Sequence, residues 1–291
     1  MSAHQFLAAS QARIQPWLEN FLDRQNPLSA SLSSAMRHAV LNGGKRVRPT
    51  LAYGAALACG GTLDAADAAA GAVELVHCYS LVHDDLPCMD DDDLRRGVPT
   101  CHKVYGEATA LLAGDTLQTL AFVALAEGRV PAAALVRQIG RLAVASADMA
   151  VGQALDLAAE GRRLSLPELE TVHRHKTGAL IRASVFLGAM TADCRDDALL
   201  AALEIYADRL GLAFQVHDDV LDVVGDTRKL GKKAGADAEH DKATYPALLG
   251  LDAARALAGR LHDEAVSAVA PWGDRALELR QLADFLVARD H

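Results

Sequence analysis

Leu210-Gly211-Leu212-Ala213-Phe214-Gln215-Val216-His217-Asp218-Asp219-Val220-Leu221-Asp222-Val223-Val224 sets three carboxylates into an otherwise apolar run. Upstream, Leu199, Leu203, Tyr206 and Leu210 recur three and four residues apart, the period of a helix with one buried face. On such a helix Asp218 and Asp222 share a face, with Gln215 one turn earlier on it. Carboxylates crowded into apolar sequence repel and raise one another's pKa unless cations hold them, whereas a merely solvated acidic run sits in polar sequence. The stretch therefore predicts a helix and an oxygen ligand set together.

A second acidic run lies half a chain upstream, His83-Asp84-Asp85-Leu86-Pro87-Cys88-Met89-Asp90-Asp91-Asp92-Asp93, with Arg95-Arg96 close behind. Asp84 and Asp90 would point about 120° apart on a regular helix. Pro87 removes a backbone hydrogen bond. It either distorts the helix and brings Asp90 back toward Asp84, or ends the helix and leaves Asp90 free to ligate. A magnesium site is the economical reading of both runs.

The rest of the chain repeats the helical texture. Leu135, Ile139, Leu142 and Ala143 follow the same period, and Val and Ile never gather into alternating runs that would signal strands. Gly and Pro punctuate at Asn42-Gly43-Gly44, Cys59-Gly60-Gly61, Gly97 to Pro99, Gly128 to Pro131 and Gly225 to Gly235, read as connections between helices. No linker or composition shift divides the 291 residues. The expectation is all-α: one domain over residues 1–291, a large bundle around a central cavity whose facing walls supply ligands.

Composition narrows the function. A hydrophobic content of 51% builds a sizeable core, and a net charge of −9 disfavours general binding to nucleic acid or anionic lipid. Five scattered cysteines without a Cys-x-x-Cys pair argue against a disulfide framework or structural zinc. Met1 to Phe6 lacks the basic-then-apolar pattern of a signal peptide, and the apolar stretch from Thr116 to Ala126 is short for a bilayer. A soluble cytoplasmic protein without membrane insertion is expected.

An acidic protein that binds a phosphorylated ligand needs local basic clusters, and four stand out. They are Gly43-Gly44-Lys45-Arg46-Val47-Arg48-Pro49, Arg95-Arg96, His173-Arg174-His175-Lys176-Thr177-Gly178, which reads as the opening of a helix, and Arg228-Lys229-Leu230-Gly231-Lys232-Lys233. Any one could be an exposed turn. Two of the four directly follow the acidic runs, however, and arginine's planar fork matches phosphate oxygens. The first cluster is not a nucleotide P-loop, because Ala39 stands where its first glycine would fall and no Ser or Thr follows Lys45.

Taken in order, the Gly-Gly-Lys-Arg-Val-Arg-Pro turn, Asp84-Asp85 with Asp90 and Arg95-Arg96, Lys176-Thr177-Gly178, and Gln215 with Asp218, Asp219 and Asp222 resemble the trans-isoprenyl diphosphate synthases. Within that family the spacing, with four residues between Asp85 and Asp90, is similar to the bacterial farnesyl type. The resemblance spans about residues 40 to 250 and implies the isoprenoid synthase fold. It also implies chain elongation, in which dimethylallyl and then geranyl diphosphate ionises, isopentenyl diphosphate attacks the allylic cation, and a proton leaves to give farnesyl diphosphate.

The same resemblance assigns roles. Asp84, Asp90 and Asp218 would hold about three Mg2+ ions, for which Mn2+ is an acceptable substitute, with Asp85, Asp219 and Asp222 in support through waters. Arg95, Lys176 and Lys232 would grip the allylic diphosphate, while Thr177 and Gln215 turn oxygens toward the developing cation. Lys45, Arg48, His77 and Arg96 would bind isopentenyl diphosphate without metal. His77 lies seven residues before Asp84, two turns deeper on nearly the same helix face.

Tyr79, about 7.5 Å along the helix axis from Asp84, matches the family's chain-length position, although by helix angle Ser80 follows the Asp84 face more directly. The resemblance further implies a homodimer. One departure is the ending, Arg289-Asp290-His291, where family members often carry a terminal basic residue that helps shut the site. The remaining alternatives are a geranyl or geranylgeranyl diphosphate synthase, a terpene cyclase, which would need no second diphosphate site, and a non-catalytic partner subunit, which would not need intact acidic motifs.

Overall fold

The computed structural model describes residues 2–25, 28–159, 161–192, 194–224 and 243–288. Helices dominate them: α1 (Ala3–Arg24), α2 (Ala30–Leu41), α3 (Val47–Ala58), α4 (Leu63–Asp84), α5 (Cys101–Tyr105), α6 (Glu107–Ala126) and α7 (Ala132–Ala159). Then follow α8 (Leu166–His173), α9 (Ala179–Ala189), α10 (Asp197–Val224), α11 (Tyr245–Leu249), α12 (Leu251–Val269) and α13 (Leu277–Ala288). A π-helical turn, Arg174–Gly178, joins α8 to α9, and a 3-10 segment, Ala270–Ala276, joins α12 to α13.

Local chemistry sets many of the ends. Ser2 and Gln5 form a capping box at α1, Thr62 Oγ1 accepts from Ala65 N at the start of α4, and Ser165 with Glu168 caps α8, where Pro167 occupies the first turn. Each satisfies backbone N–H groups that a helix start leaves without intrahelical partners.

α4 is the central helix and is apolar nearly all round, packed by α6, α3 and α9. Glycines permit the closest approaches. A β-carbon on Gly71 would lie 2.0 Å from Trp17 Cζ3 of α1, and one on Gly188 of α9 would lie 2.0 Å from the Ala52 carbonyl oxygen of α3. The core divides into three clusters. One surrounds α4, one lies among α3, α9, α10, α12 and α13, and one lies among α8, α10, α11 and α12. All five cysteines are free.

Two expectations need correcting. Gly97 to Pro99 does not simply connect helices: Leu94–Arg95 and Val98–Pro99 form a two-stranded antiparallel hairpin, β1 and β2, turning through Arg96 (φ 56°) and Gly97 (φ 79°). Positive φ at both central residues is the two-residue turn whose twist suits a hairpin. The apolar stretch ending at Ala126 is also longer than read from composition. α6 and α7 each have the length and hydropathy to cross a bilayer, yet α6 buries Ala110, Ala113, Leu117 and Ala121 in the core beside α4.

Candidate active site

The site forms where α4 and α10 end, beside the start of α3 and the π-helical turn. Pro87 ends α4, and the chain then doubles back, so the two readings of that proline combine. Asp85 caps the helix, and the Asp90 amide donates to the Asp84 carbonyl at 2.8 Å. Asp84, lining a cavity, has its carboxyl pushed up to about 6 by burial, reinforced by Asp90 and opposed by Lys176. Asp85 is buried and accepts from Arg95 Nε at 3.0 Å and from Nη2, and Nη2 also donates to Asp92 Oδ2 at 2.8 Å. Arg95, expected on a diphosphate, is thus held by the acidic motif itself.

The facing wall comes from α10 and the π turn. Thr177 Oγ1 donates to Gln215 Oε1 at 3.0 Å, Gln215 Nε2 donates to Asp219 Oδ1 at 3.0 Å, and Asp219 Oδ2 accepts from the Tyr245 amide at 3.0 Å. This relay locks Thr177 and Gln215 in place, and it leaves Asp219 a structural acceptor. Lys176 Nζ donates to Asp156 Oδ2 of α7 at 2.6 Å. The basic segment that reads as a helix start lies instead in mid-helix, where the wider π turn re-aims Lys176 and Thr177. Asp218 lies near enough to Arg48 for its charge to favour the guanidinium.

The cationic corner is built by the turn before α3. Arg46 takes a left-handed conformation (φ 52°), and its buried guanidinium donates to Glu74 Oε1 at 2.6 Å, the Val40 carbonyl at 2.6 Å and Gln15 Oε1 at 2.9 Å. It therefore ties α1, α2 and α4 together instead of facing a ligand. Arg48 lines the cavity, with its Nε buried and without a partner among the described residues, and burial pulls its pKa down.

Arg96 Nη1 donates to Asn42 Oδ1 at 3.0 Å and to the Gly43 carbonyl. Its guanidinium lies where a β-carbon on Gly44 would stand 2.5 Å from Cζ, and the positive φ of Gly44 (111°) disfavours any side chain there. Burial first, then Arg48, Arg96, Arg46 and Arg95 in turn, hold the His77 imidazole well below its usual pKa, hence neutral. Lys45 is half-buried at the same turn. Lys232 falls outside the described residues, as does the ending 289–291.

One cavity of about 380 Å3 joins these parts, with Arg48, His77, Tyr79, Ser80, Asp84, Lys176 and Thr177 on its walls. Sequence reasoning missed the contribution of α7, which adds Met149, Gln153 and Leu157. The Gln153 amide oxygen and nitrogen are both buried without partners among the described residues. Its neighbour Gly152 lets α7 approach the π turn, since a β-carbon there would sit 2.1 Å from Lys176 N. A glycine beside an amide in an Ala-rich helix was the available signal.

A family profile described as Polyprenyl synthetase matches residues 29–268. The chain belongs to the polyprenyl synthetase family. Relatives include the farnesyl diphosphate synthase of Escherichia coli (strain K12), 52% identical over 263 residues, 88% of each chain. The chloroplastic geranylgeranyl pyrophosphate synthase of Catharanthus roseus is 44% identical over 280 residues, 94% of this chain and 78% of that one. The crystal structure of a geranyltransferase from Legionella pneumophila superposes with a TM-score of 0.88 at 33% identity, covering 98% of this chain and 96% of that one. The all-α architecture is the isoprenoid synthase fold of these relatives.

Among the described residues, no three carboxylate, imidazole or thiol groups of this polyprenyl synthetase converge into a ready-made metal cluster. The donors nevertheless fit a hard divalent cation. They are oxygens only, set on two facing walls, and burial together with Asp90 raises the Asp84 carboxyl, a cost that a bound cation would offset. The arrangement suits ions completed by a ligand's phosphate oxygens.

Proposed function

We propose that the chain is a chain-elongating prenyltransferase that condenses isopentenyl diphosphate with dimethylallyl and then geranyl diphosphate to give farnesyl diphosphate. The observation that carries this reading is that one cavity joins two separate cations, Lys176 on one side and Arg48 beside neutral His77 on the other, past Asp84 and down to Tyr79. A cyclase, with one substrate, has no use for the second.

Asp84, Asp90 and Asp218 would hold Mg2+, whose bound charge stabilises the departing diphosphate. Lys176 leaves Asp156 to grip that diphosphate. Thr177 and Gln215, fixed by the relay to Asp219, keep oxygen lone pairs for the carbon that becomes positive. When the carbon–oxygen bond breaks, its electron pair leaves with the diphosphate. Arg48, Arg96, Lys45 and neutral His77 hold isopentenyl diphosphate so that its double bond supplies the new carbon–carbon bond, and the lost proton passes to the released diphosphate. Tyr79 closes the cavity. The 44% identity to a relative named as a geranylgeranyl synthase makes a twenty-carbon product the second reading.

The enzyme is read as one helical domain, cytoplasmic and homodimeric. The outward faces of α6 and α7 expose Leu111, Leu112, Val123, Val136, Val144 and Val151, which a second copy would cover. The test incubates purified protein with both five-carbon diphosphates and Mg2+, then separates the dephosphorylated alcohols. A dominant fifteen-carbon alcohol that vanishes with chelator is expected, and no elongation at all would sink the reading.

A further inference from the structure

Packing alone does not fix the floor of the cavity. The Tyr79 hydroxyl lies 3.1 Å from Ser146 Oγ on α7, and Gln118 Nε2 on α6 donates to that same oxygen at 3.0 Å. The ring also stands edge to face with His83, centroids 5.8 Å apart at 76°. His83 is in turn fixed by its Nε2 contact with the Leu111 carbonyl at 3.0 Å, and it sits where a β-carbon on Gly114 would lie 2.1 Å from Nε2. Tyr79 belongs to α4, yet its tip is held by Ser146 of α7, and its ring partner His83, also on α4, is braced by α6. Both Tyr79, at 7% exposure, and Ser146, at 4%, are buried.

Met149, one turn beyond Ser146 on α7, lines the cavity. A chain lengthening past Met149 meets the Tyr79 ring and can pass only if the ring swings. That motion breaks the Tyr79–Ser146 hydrogen bond and takes from the Tyr79 hydroxyl its buried partner, an unfavourable state. A stop held only by neighbouring carbons would carry no such penalty.

We propose that Ser146 and Gln118 determine product length as positioning residues: they latch the Tyr79 hydroxyl across three helices, so that the ring resists displacement by a growing isoprenoid chain. The inference rests on the elongation reading above and names what sets its specificity.

The test compares the product alcohols of the wild type with those of Tyr79→Phe, Ser146→Ala, Gln118→Leu and Tyr79→Ala, made from both five-carbon diphosphates and Mg2+. Tyr79→Phe and Ser146→Ala should raise the ratio of twenty- to fifteen-carbon product roughly three- to tenfold, the scale of one lost hydrogen bond. Gln118→Leu should do so to a smaller extent. For Ser146→Ala and Gln118→Leu the rate of the first condensation should stay within about twofold, which a general loss of structure would not allow. The double variant Tyr79→Phe/Ser146→Ala should add nothing to the larger single effect, because both remove one bond.

If Tyr79→Ala lengthens the product while the other three keep the wild-type distribution, the latch is overturned and the elongation reading survives. If the wild type makes no elongated product, the reading and the latch fall together; if the wild type elongates but Tyr79→Ala changes nothing, the latch falls with the Tyr79 floor and the elongation reading stands. Tyr79→Phe, which removes one oxygen and keeps the ring, decides the matter should Ser146→Ala fail to fold.

Discussion

Lys176 and Asp156 are paired across the gap between the π turn and α7, with Nζ 2.6 Å from Oδ2. The ammonium assigned to the allylic diphosphate is therefore already occupied in the ligand-free chain, and binding exchanges one anion for another. Lys176→Ala should lower kcat/KM for the allylic substrate about 100-fold, by removing a charge that acts as the leaving group departs. Asp156→Asn, which only unties the lysine, should cost about tenfold. Steady-state kinetics on both variants checks the ranking.

Asp84 sets function against stability. Its folded pKa of about 6 exceeds the ordinary 3.8, so between those values the folded state holds more protons than the unfolded one. Stability falls as pH rises through that window, and above it the penalty is complete, on the order of 2–3 kcal/mol. Asp84→Asn should raise the melting temperature of the metal-free protein at pH 8 by about 5 °C, with the gain gone near pH 4. The same variant should lose the added stability conferred by Mg2+ with a diphosphate. Thermal melts across pH, with and without those ligands, read both effects.

The two cationic sets should separate kinetically. Arg96→Ala, which empties the place over Gly44, should raise KM for isopentenyl diphosphate roughly 10- to 100-fold while leaving slow solvolysis of geranyl diphosphate near its wild-type rate. Loss of that solvolysis would place Arg96 at the allylic end instead.

Arg46 and Glu74 form a buried ion pair, with side-chain exposures of 2% and 1%. Glu74→Ala strands a buried guanidinium and should cost about 3–5 kcal/mol of stability. Denaturant unfolding of this variant, set beside Arg46→Met with Glu74→Met, which removes both charges, should put the double variant well above the single one.

How far the sequence could be read follows from the range of each interaction. Helices such as α10 were legible because their signal is a local period, and Asp84, Asp218 and Lys176 because they stand in short motifs. Arg46 stands in the basic turn between Lys45 and Arg48, and nothing within that turn tells that Glu74, 28 positions on, claims it. The bond from Arg95 to Asp85 is hidden for a related reason, since the hairpin that folds it there depends on left-handed backbone at Arg96 and Gly97, not on a run of β-formers. The π turn at Arg174–Gly178 has no composition of its own, and Gln153 shows in sequence only as an amide beside Gly152, because what marks it in the structure is the lack of a partner among the described residues.

α4 runs without a break from Leu63 to Asp84 and carries both Tyr79 and the first of the proposed ligands, Asp84. Their separation along the axis is thus graduated by backbone hydrogen bonds at about 1.5 Å per residue, a scale that no side-chain repacking stretches. On the proposed reading, product size changes in steps of whole residues along this one helix. The reacting end stays at zero on the scale, so the length of the product can evolve while the chemistry that builds it is left untouched.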